Sequence, residues 1–168
     1  MIEPLFGIVI YSQQDTEVEL IYKTIESLKN VSYDNKKIKV IISRPFYQKC
    51  QDIVHCVNLL KETFPAAECI FHLHDNIAIR DTECFQELLE ATFFVKITAG
   101  AVIDPFLFQN INTALNKDQK VIDMFETDDV TIILRTIMQD HYLNFNDYDL
   151  ATEYIRNLCI KQDKYEKI

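Results

Sequence analysis

Leu5 to Tyr11 reads Leu-Phe-Gly-Ile-Val-Ile-Tyr, a continuous apolar and β-branched run with no charged residue. An amphipathic strand alternates apolar and polar residues, whereas a strand covered on both faces does not. A run of this kind therefore predicts a strand at the centre of a sheet that is layered on both sides. Three similar runs follow: Ile38 to Ser43, Cys69 to Leu73 and Phe93 to Ile97.

The stretches between these runs have helical spacing. Asp15 to Asn30 carries Val18, Ile21, Ile25 and Leu28 on one face, with Thr16 and Glu19 spaced as a capping box. Phe46 to Phe64 places Cys50, Ile53, Val54 and Val57 together, and Pro65 ends it. Asp81 can cap a third helix with Phe85, Leu88 and Leu89 inward. Asp104-Pro105 reads as an N-cap followed by proline at the first helical position, ahead of Leu107, Ile111 and Leu115. Strands alternating with helices predict parallel pairing through right-handed crossovers. The expected fold is α/β, a three-layer, mostly parallel sheet with helices on both faces.

After Lys117 the pattern changes. Val121 to Phe125 and Val130 to Leu134 read as strands joined by the acidic turn Glu126-Thr127-Asp128-Asp129, with a short helix over Thr136 to His141. Asp147 can cap a last helix whose inner stripe would be Ala151, Tyr154, Ile155 and Leu158, and the charged tail from Lys161 to Ile168 is expected to fray. We expect one domain over 1–168, with a nucleotide-binding-like part over 1–117, a shortened acceptor-side part over 118–160 and the tail over 161–168.

Composition narrows the function. A net charge of −9 disfavours nucleic acid and anionic membrane surfaces, both of which recruit clustered Lys and Arg. No apolar run reaches the roughly 20 residues of a membrane span, and Met1 to Pro4 has no basic region leading into an apolar stretch, so a secretory signal is not expected. There are only two glycines, Gly7 and Gly100, which excludes both the dinucleotide-binding fingerprint and the P-loop. Five cysteines without a C-x-x-C pair read as reduced, buried thiols in a cytoplasmic setting rather than as a disulfide framework, a zinc site or a catalytic thiol.

Two local clusters have a chemical reading beside a simpler one. His72 and His74 share a strand face next to Asp75, as zinc ligands can, but no third ligand is identifiable and a strand end entering a turn suffices. Glu126, Asp128 and Asp129 could supply a base or hold a cation, yet Asp is also an ordinary turn residue. Phe93, Phe94, Phe106 and Phe108 mostly suit a core, though any that remain exposed would mark a partner surface, as would the aromatic and polar run from His141 to Tyr148.

The plan of the first 43 residues is a buried strand ending in Tyr11-Ser12, a helix ending in Ile25-Glu26-Ser27-Leu28, and a second strand Val40-Ile41-Ile42-Ser43. It resembles the opening of nucleotide-sugar glycosyltransferases of the A fold, the spore-coat-polysaccharide type. Phe93 to Leu115 is similar to their central segment, where an apolar strand runs into Asp-x-Asp, then a short apolar link, a proline and a helix. The resemblance covers the chain up to about Leu134.

The resemblance implies a site at Tyr11, Ser12, Ser43, Arg44, Lys96, Thr98 and Gly100, and a base among Glu126, Asp128 and Asp129. The departures are equally specific. Ser43 stands where the family has a base-holding Asp, and Thr98-Ala99-Gly100 stands where its metal-binding Asp-x-Asp falls. A hydroxyl and a methyl do not replace two hard carboxylates, so no divalent metal cofactor is expected. Transfer without a metal would need Lys96 or Arg44 to stabilise the leaving diphosphate. The expectation is therefore a glycosyltransferase-like domain, shorter than its relatives and degenerate at its site. It would act as a non-catalytic interaction or structural module with a protein partner or a second copy, and a virus or phage is a plausible source. The alternative is a metal-independent enzyme acting on a nucleotide sugar.

Overall fold

The structure is a computed structural model that describes residues 3–12, 16–45, 50–72, 90–117, 121–141 and 148–168. Its strands are β1 (Phe6–Tyr11), β2 (Ile38–Pro45), β3 (Glu68–His72), β4 (Phe93–Thr98), β5 (Met124–Glu126), β6 (Val130–Leu134) and β7 (Tyr165–Lys167). Its helices are α1 (Val18–Leu28), α2 (Cys50–Lys61), α3 (Leu107–Lys117), α4 (Arg135–His141) and α5 (Tyr148–Lys161), with a 3-10 turn at Asn35–Lys37.

The strands form one sheet in the order β3-β2-β1-β4-β6-β5-β7. β1 lies between β2 and β4, parallel to both, and all six of its residues are buried, as a strand covered on both faces requires. Among the described strands only β6 runs against the others, pairing antiparallel with β4 and β5. The mostly parallel α/β architecture read from the apolar runs is thus the observed one.

Each face of the sheet has its own core. On one, Phe6, Ile8 and Ile10 of β1 meet Ile21, Ile25 and Leu28 of α1, Leu60 of α2 and Phe108 and Ile111 of α3. On the other, Val9, Tyr11, Phe94 and Ile133 meet Met138 of α4 and Ala151, Ile155 and Cys159 of α5. Phe93 and Phe94 therefore point to opposite cores. Phe6 is the hub of the first, with ring centroids 4.7 Å from Phe108, 5.3 Å from Tyr33 and 5.8 Å from Phe93. The Tyr33 hydroxyl donates to the Pro4 carbonyl at 2.7 Å, and burial pushes its pKa up to about 12, with Glu3 and Asp34 adding to the shift.

Four details differ from the sequence reading. Thr16 and Glu19 do not form the capping box: the N-cap is Glu17, without a side-chain cap bond, and the Glu17 carbonyl takes the Leu20 N–H. The strand expected from Val121 begins at Met124, because the Asp123 backbone already bonds to both Lys164 and Leu134. Tyr154 lies on the outer side of α5 against His141, and the inner stripe is Ala151, Thr152, Ile155 and Cys159.

The fourth difference is the tail, which does not fray. α5 closes with Asp163 at φ +56, Asp163 N–H to Ile160 O and Lys164 N–H to Cys159 O, the paired bonds of a Schellman cap. That turn reverses the chain into β7, parallel to β5. Asp104, by contrast, acts close to where expected: its carboxylate accepts from Phe106 N–H at 2.7 Å one turn ahead of α3. The helix expected after Asp81 and the cap expected at Asp147 lie outside the described residues.

Candidate functional site

After β1 the chain passes to β2 on one side, and after β3 it returns to β4 on the other. The strand order therefore reverses between β1 and β4, and the carboxyl ends of these two strands form the crevice where such sheets take ligands. Tyr11 and Thr98 are register partners there, and Ala99 N–H donates to the Tyr11 carbonyl at 3.0 Å. Of the residues that the resemblance implicates, Tyr11, Ser12, Lys96, Thr98 and Gly100 come together at this mouth. Thr98 is exposed, but Ser12 is only 1 % exposed. Ser43 is the partner of Tyr11 on the β2 side, with Arg44 following it.

The segment after β4 is stitched to α1. Gly100 N–H donates both to the Leu20 carbonyl at 3.0 Å and to Thr24 Oγ1 at 2.9 Å. The Thr24 hydroxyl in turn donates to the Ala101 carbonyl at 2.9 Å, and Ile103 N–H donates to Ser27 Oγ at 2.9 Å. These bonds give a physical reason for the Ser-Leu helix end: the hydroxyl fixes the link that leads to α3. Gly100 has φ +103, a conformation that an L side chain rarely adopts, and an added Cβ would meet Leu20 at 3.4 Å.

A row of polar groups crosses the second face at this end. Lys96 on β4 pairs with Thr131 on β6, which pairs with Glu126 on β5, which pairs with Lys167 on β7. The Lys96 ammonium lies 5.1 Å from the centre of the Tyr11 ring and 3.6 Å from Asp149 Oδ1 on the first turn of α5, and its side chain is 13 % exposed. Glu126 is held by Arg156 of α5 through two of the three guanidinium nitrogens, Nε to Oε1 and Nη2 to Oε2, the latter at 2.9 Å. That hydrogen bond raises the Arg156 pKa further. Burial, with the Glu126 charge beside it, raises the Tyr165 phenol.

Two more ion pairs tie the hairpin to the terminal strand: Lys164 to the buried Asp123 at 3.7 Å, and Lys167 to Asp128 at 3.4 Å. The turn itself is closed by Thr127, whose Oγ1 accepts from Asp129 N–H at 3.3 Å and Val130 N–H at 3.1 Å.

The chemical capacity of this arrangement follows from its donors. A divalent ion at the mouth would need hard oxygen ligands, and Thr98-Ala99-Gly100 offers one hydroxyl and no carboxylate. Among the described residues, no three His, Cys, Asp or Glu side chains gather as a metal site requires. The described residues of this segment thus do not supply the ligands that a divalent ion takes. Glu126, the buried acid of the turn, has both oxygens engaged by Arg156, while Asp128 and Asp129 are exposed at the tip of the hairpin.

Arg156 and Asp149, which hold Glu126 and Lys96, were not singled out from the sequence. Only fold contacts over 30 and 53 residues of chain reveal them. His72 ends β3, while His74 and Asp75 fall outside the described residues, as do 142–147. Of the four phenylalanines, only Phe106 is exposed, at 55 %, with Val102 nearby in sequence at 62 %.

No protein-family model matches the chain, and neither does any curated protein sequence. Solved structures do. A mannosyltransferase from Pyrobaculum calidifontis in complex with GDP-Man and Mn2+ matches with a TM-score of 0.64 at 12 % identity, covering 99 % of this chain and 55 % of its own. TarS of S. aureus in complex with UDP gives a TM-score of 0.70 at 8 % identity, over 98 % of this chain and 57 % of its own. The glycosyltransferase GlyE of Streptococcus pneumoniae gives 0.57 at 11 % identity, over 98 % and 45 %. The chain spans about half the length of these structures, and its fold is that of the A-fold glycosyltransferases.

Proposed function

We propose that the chain is a glycosyltransferase-like domain that no longer carries out metal-assisted sugar transfer and serves as a non-catalytic interaction or structural module. The observation that carries this reading is the state of its acids. The buried carboxylate nearest the place of a general base, Glu126, is bound bidentately by Arg156, and the segment at the end of β4 offers no carboxylate at all. Transfer from a nucleotide sugar builds charge on a diphosphate, and stabilising that charge is the main task of such a site. The exposed Phe106 and Val102 support contact with a protein partner or a second copy. Cys56 and Cys159 are buried thiols outside any disulfide, in keeping with a reducing, cytoplasm-like compartment.

One observation favours a second reading, a metal-independent enzyme using a nucleotide sugar. Lys96 places a cation beside Tyr11 at the switch point, where a diphosphate would lie. Thermal unfolding with UDP- and GDP-sugars, with and without Mn2+, separates the two, since a ligand bound to the native state raises Tm by mass action. The first reading expects no change in Tm. A manganese-dependent rise would overturn it, and a metal-independent rise that disappears in Lys96→Ala would establish the second.

A further inference from the structure

While Ala151, Ile155 and Cys159 close the second core, the outer face of α5 presents large apolar side chains to solvent. Leu150, Tyr154 and Ile160 are 58 %, 48 % and 53 % exposed. Glu153, Asn157 and Lys161 are exposed between them. Residues three and four apart share a helix face, so Glu153, Tyr154, Asn157, Ile160 and Lys161 form one patch of about two turns.

The order of this patch is self-complementary about Asn157. Three residues away in either direction stands an apolar side chain, Tyr154 or Ile160. Four residues away stand opposite charges, Glu153 and Lys161. At a rise of about 1.5 Å per residue, both charges lie about 6 Å along the axis from Asn157. A second α5 laid antiparallel to the first, with a two-fold axis at Asn157, therefore gathers Glu153 and Tyr154 of one copy with Ile160 and Lys161 of the other, and does so at both ends of the contact. Parallel pairing would instead set Glu153 against Glu153 and Lys161 against Lys161. A chain of net charge −9 repels its own copies at long range, so contact between copies needs a surface where unlike charges meet.

We propose that the outer face of α5 is the contact surface for a second copy of this chain, in an antiparallel two-fold pair centred on Asn157. The proposal rests on the interaction-module reading above and names its partner. Tyr154 and Ile160 supply the apolar contact, and Glu153 with Lys161 sets the direction of the pairing. The two Asn157 amides, each with donors and an acceptor, bond to one another at the axis and fix the register, as a single polar residue does in paired helices. A patch of two turns is small beside the roughly 1,200–2,000 Å² of stable complexes, so the dimer is weak, with a Kd on the order of 100 μM.

The test is sedimentation equilibrium of the full chain from about 10 μM to roughly 1 mM, with circular dichroism to check that each variant is folded. We expect a reversible monomer–dimer equilibrium. Glu153→Lys and Lys161→Glu change exposed side chains, and each should raise the Kd about tenfold, because each sets like charges face to face. The double variant Glu153→Lys/Lys161→Glu should return the Kd to its original value, since the swap rebuilds both unlike pairs only when the helices are antiparallel. A chain that stays monomeric at the highest concentration would overturn the dimer and leave the interaction-module reading to the nucleotide-sugar experiment. A dimer that neither single variant weakens uses another surface, which would overturn the assignment to α5. Folded single variants that dissociate, with no recovery in the double variant, would overturn the antiparallel arrangement.

Discussion

The two halves of the sheet are held by different forces. Around β1, β2 and β4 the contacts are mainly apolar on both faces, apart from Lys96 with Asp149, and the buried Thr24 bonds to backbone. Around β5 and β7 the strands are three residues long, and carboxylates of the hairpin meet cations of the terminal segment: Glu126 with Arg156, Asp123 with Lys164, and Asp128 with Lys167. The first half gains stability from surface removed from water, which is non-directional. The second depends on matched charges, where removing one partner leaves the other stranded. In this molecule Glu126, Asp123 and Asp128 join the segment from α5 to β7 to the sheet.

The sharpest way to break this contrast is at Phe6. Phe6→Ala removes the ring that Phe93, Phe108 and Tyr33 pack against and should cost about 3–5 kcal/mol, read from urea unfolding. A loss under 1 kcal/mol would mean that the parallel half does not depend on its apolar hub.

Arg156→Ala should cost less, about 2 kcal/mol, because the guanidinium is partly exposed while the Glu126 carboxylate it leaves behind is buried. Glu126→Gln in the Arg156→Ala background should recover a large part of that loss, since no buried charge is then left unpaired. No recovery would mean that Arg156 acts through packing alone.

A third test is alkaline stability. Burial, followed by the charge of Asp123, pushes the Cys159 thiol from its ordinary 9.0 up to about 11. Between these values the unfolded chain has lost the proton that the folded chain keeps, so stability falls as pH rises from about 9 and levels off above 11. Tyr33, in the other half, repeats this from 10 to about 12. In Cys159→Ala the decline should therefore begin near pH 10, and an onset still at pH 9 would place the sensitive group elsewhere.

What could be read from the sequence follows the same division. The buried strands and the inner faces of α1 and α3 were legible because apolar burial writes itself into spacing: β1, Ile21, Ile25 and Leu28, and Leu107 and Ile111 lie where the pattern puts them. β7 was not legible, because Tyr165-Glu166-Lys167 carries no apolar signal and pairs through backbone and charge. Tyr154 was misplaced because a large aromatic on a helix invites an inward assignment, whereas the small residues Ala151, Thr152 and Cys159 line the inner face. In the candidate site, Tyr11 and Thr98 emerged from the resemblance, and the fold makes them register partners. The partners of Lys96 and Glu126 did not, because ion pairs across the fold leave no periodic trace.

The position of β7 has a consequence for how the chain is made. On a ribosome, β5 and β6 emerge together and can dock on β4, but the outer side of β5 stays bare until α5 and the reversal at Asp163 have followed. A nascent chain at that stage presents the backbone donors and acceptors of β5 to any neighbouring strand, the usual route to intermolecular sheet growth. The three-residue strand β7 covers that edge, and Lys167 within it and Lys164 just before it, drawn to Asp128 and Asp123, favour capture by its own hairpin over capture by another molecule.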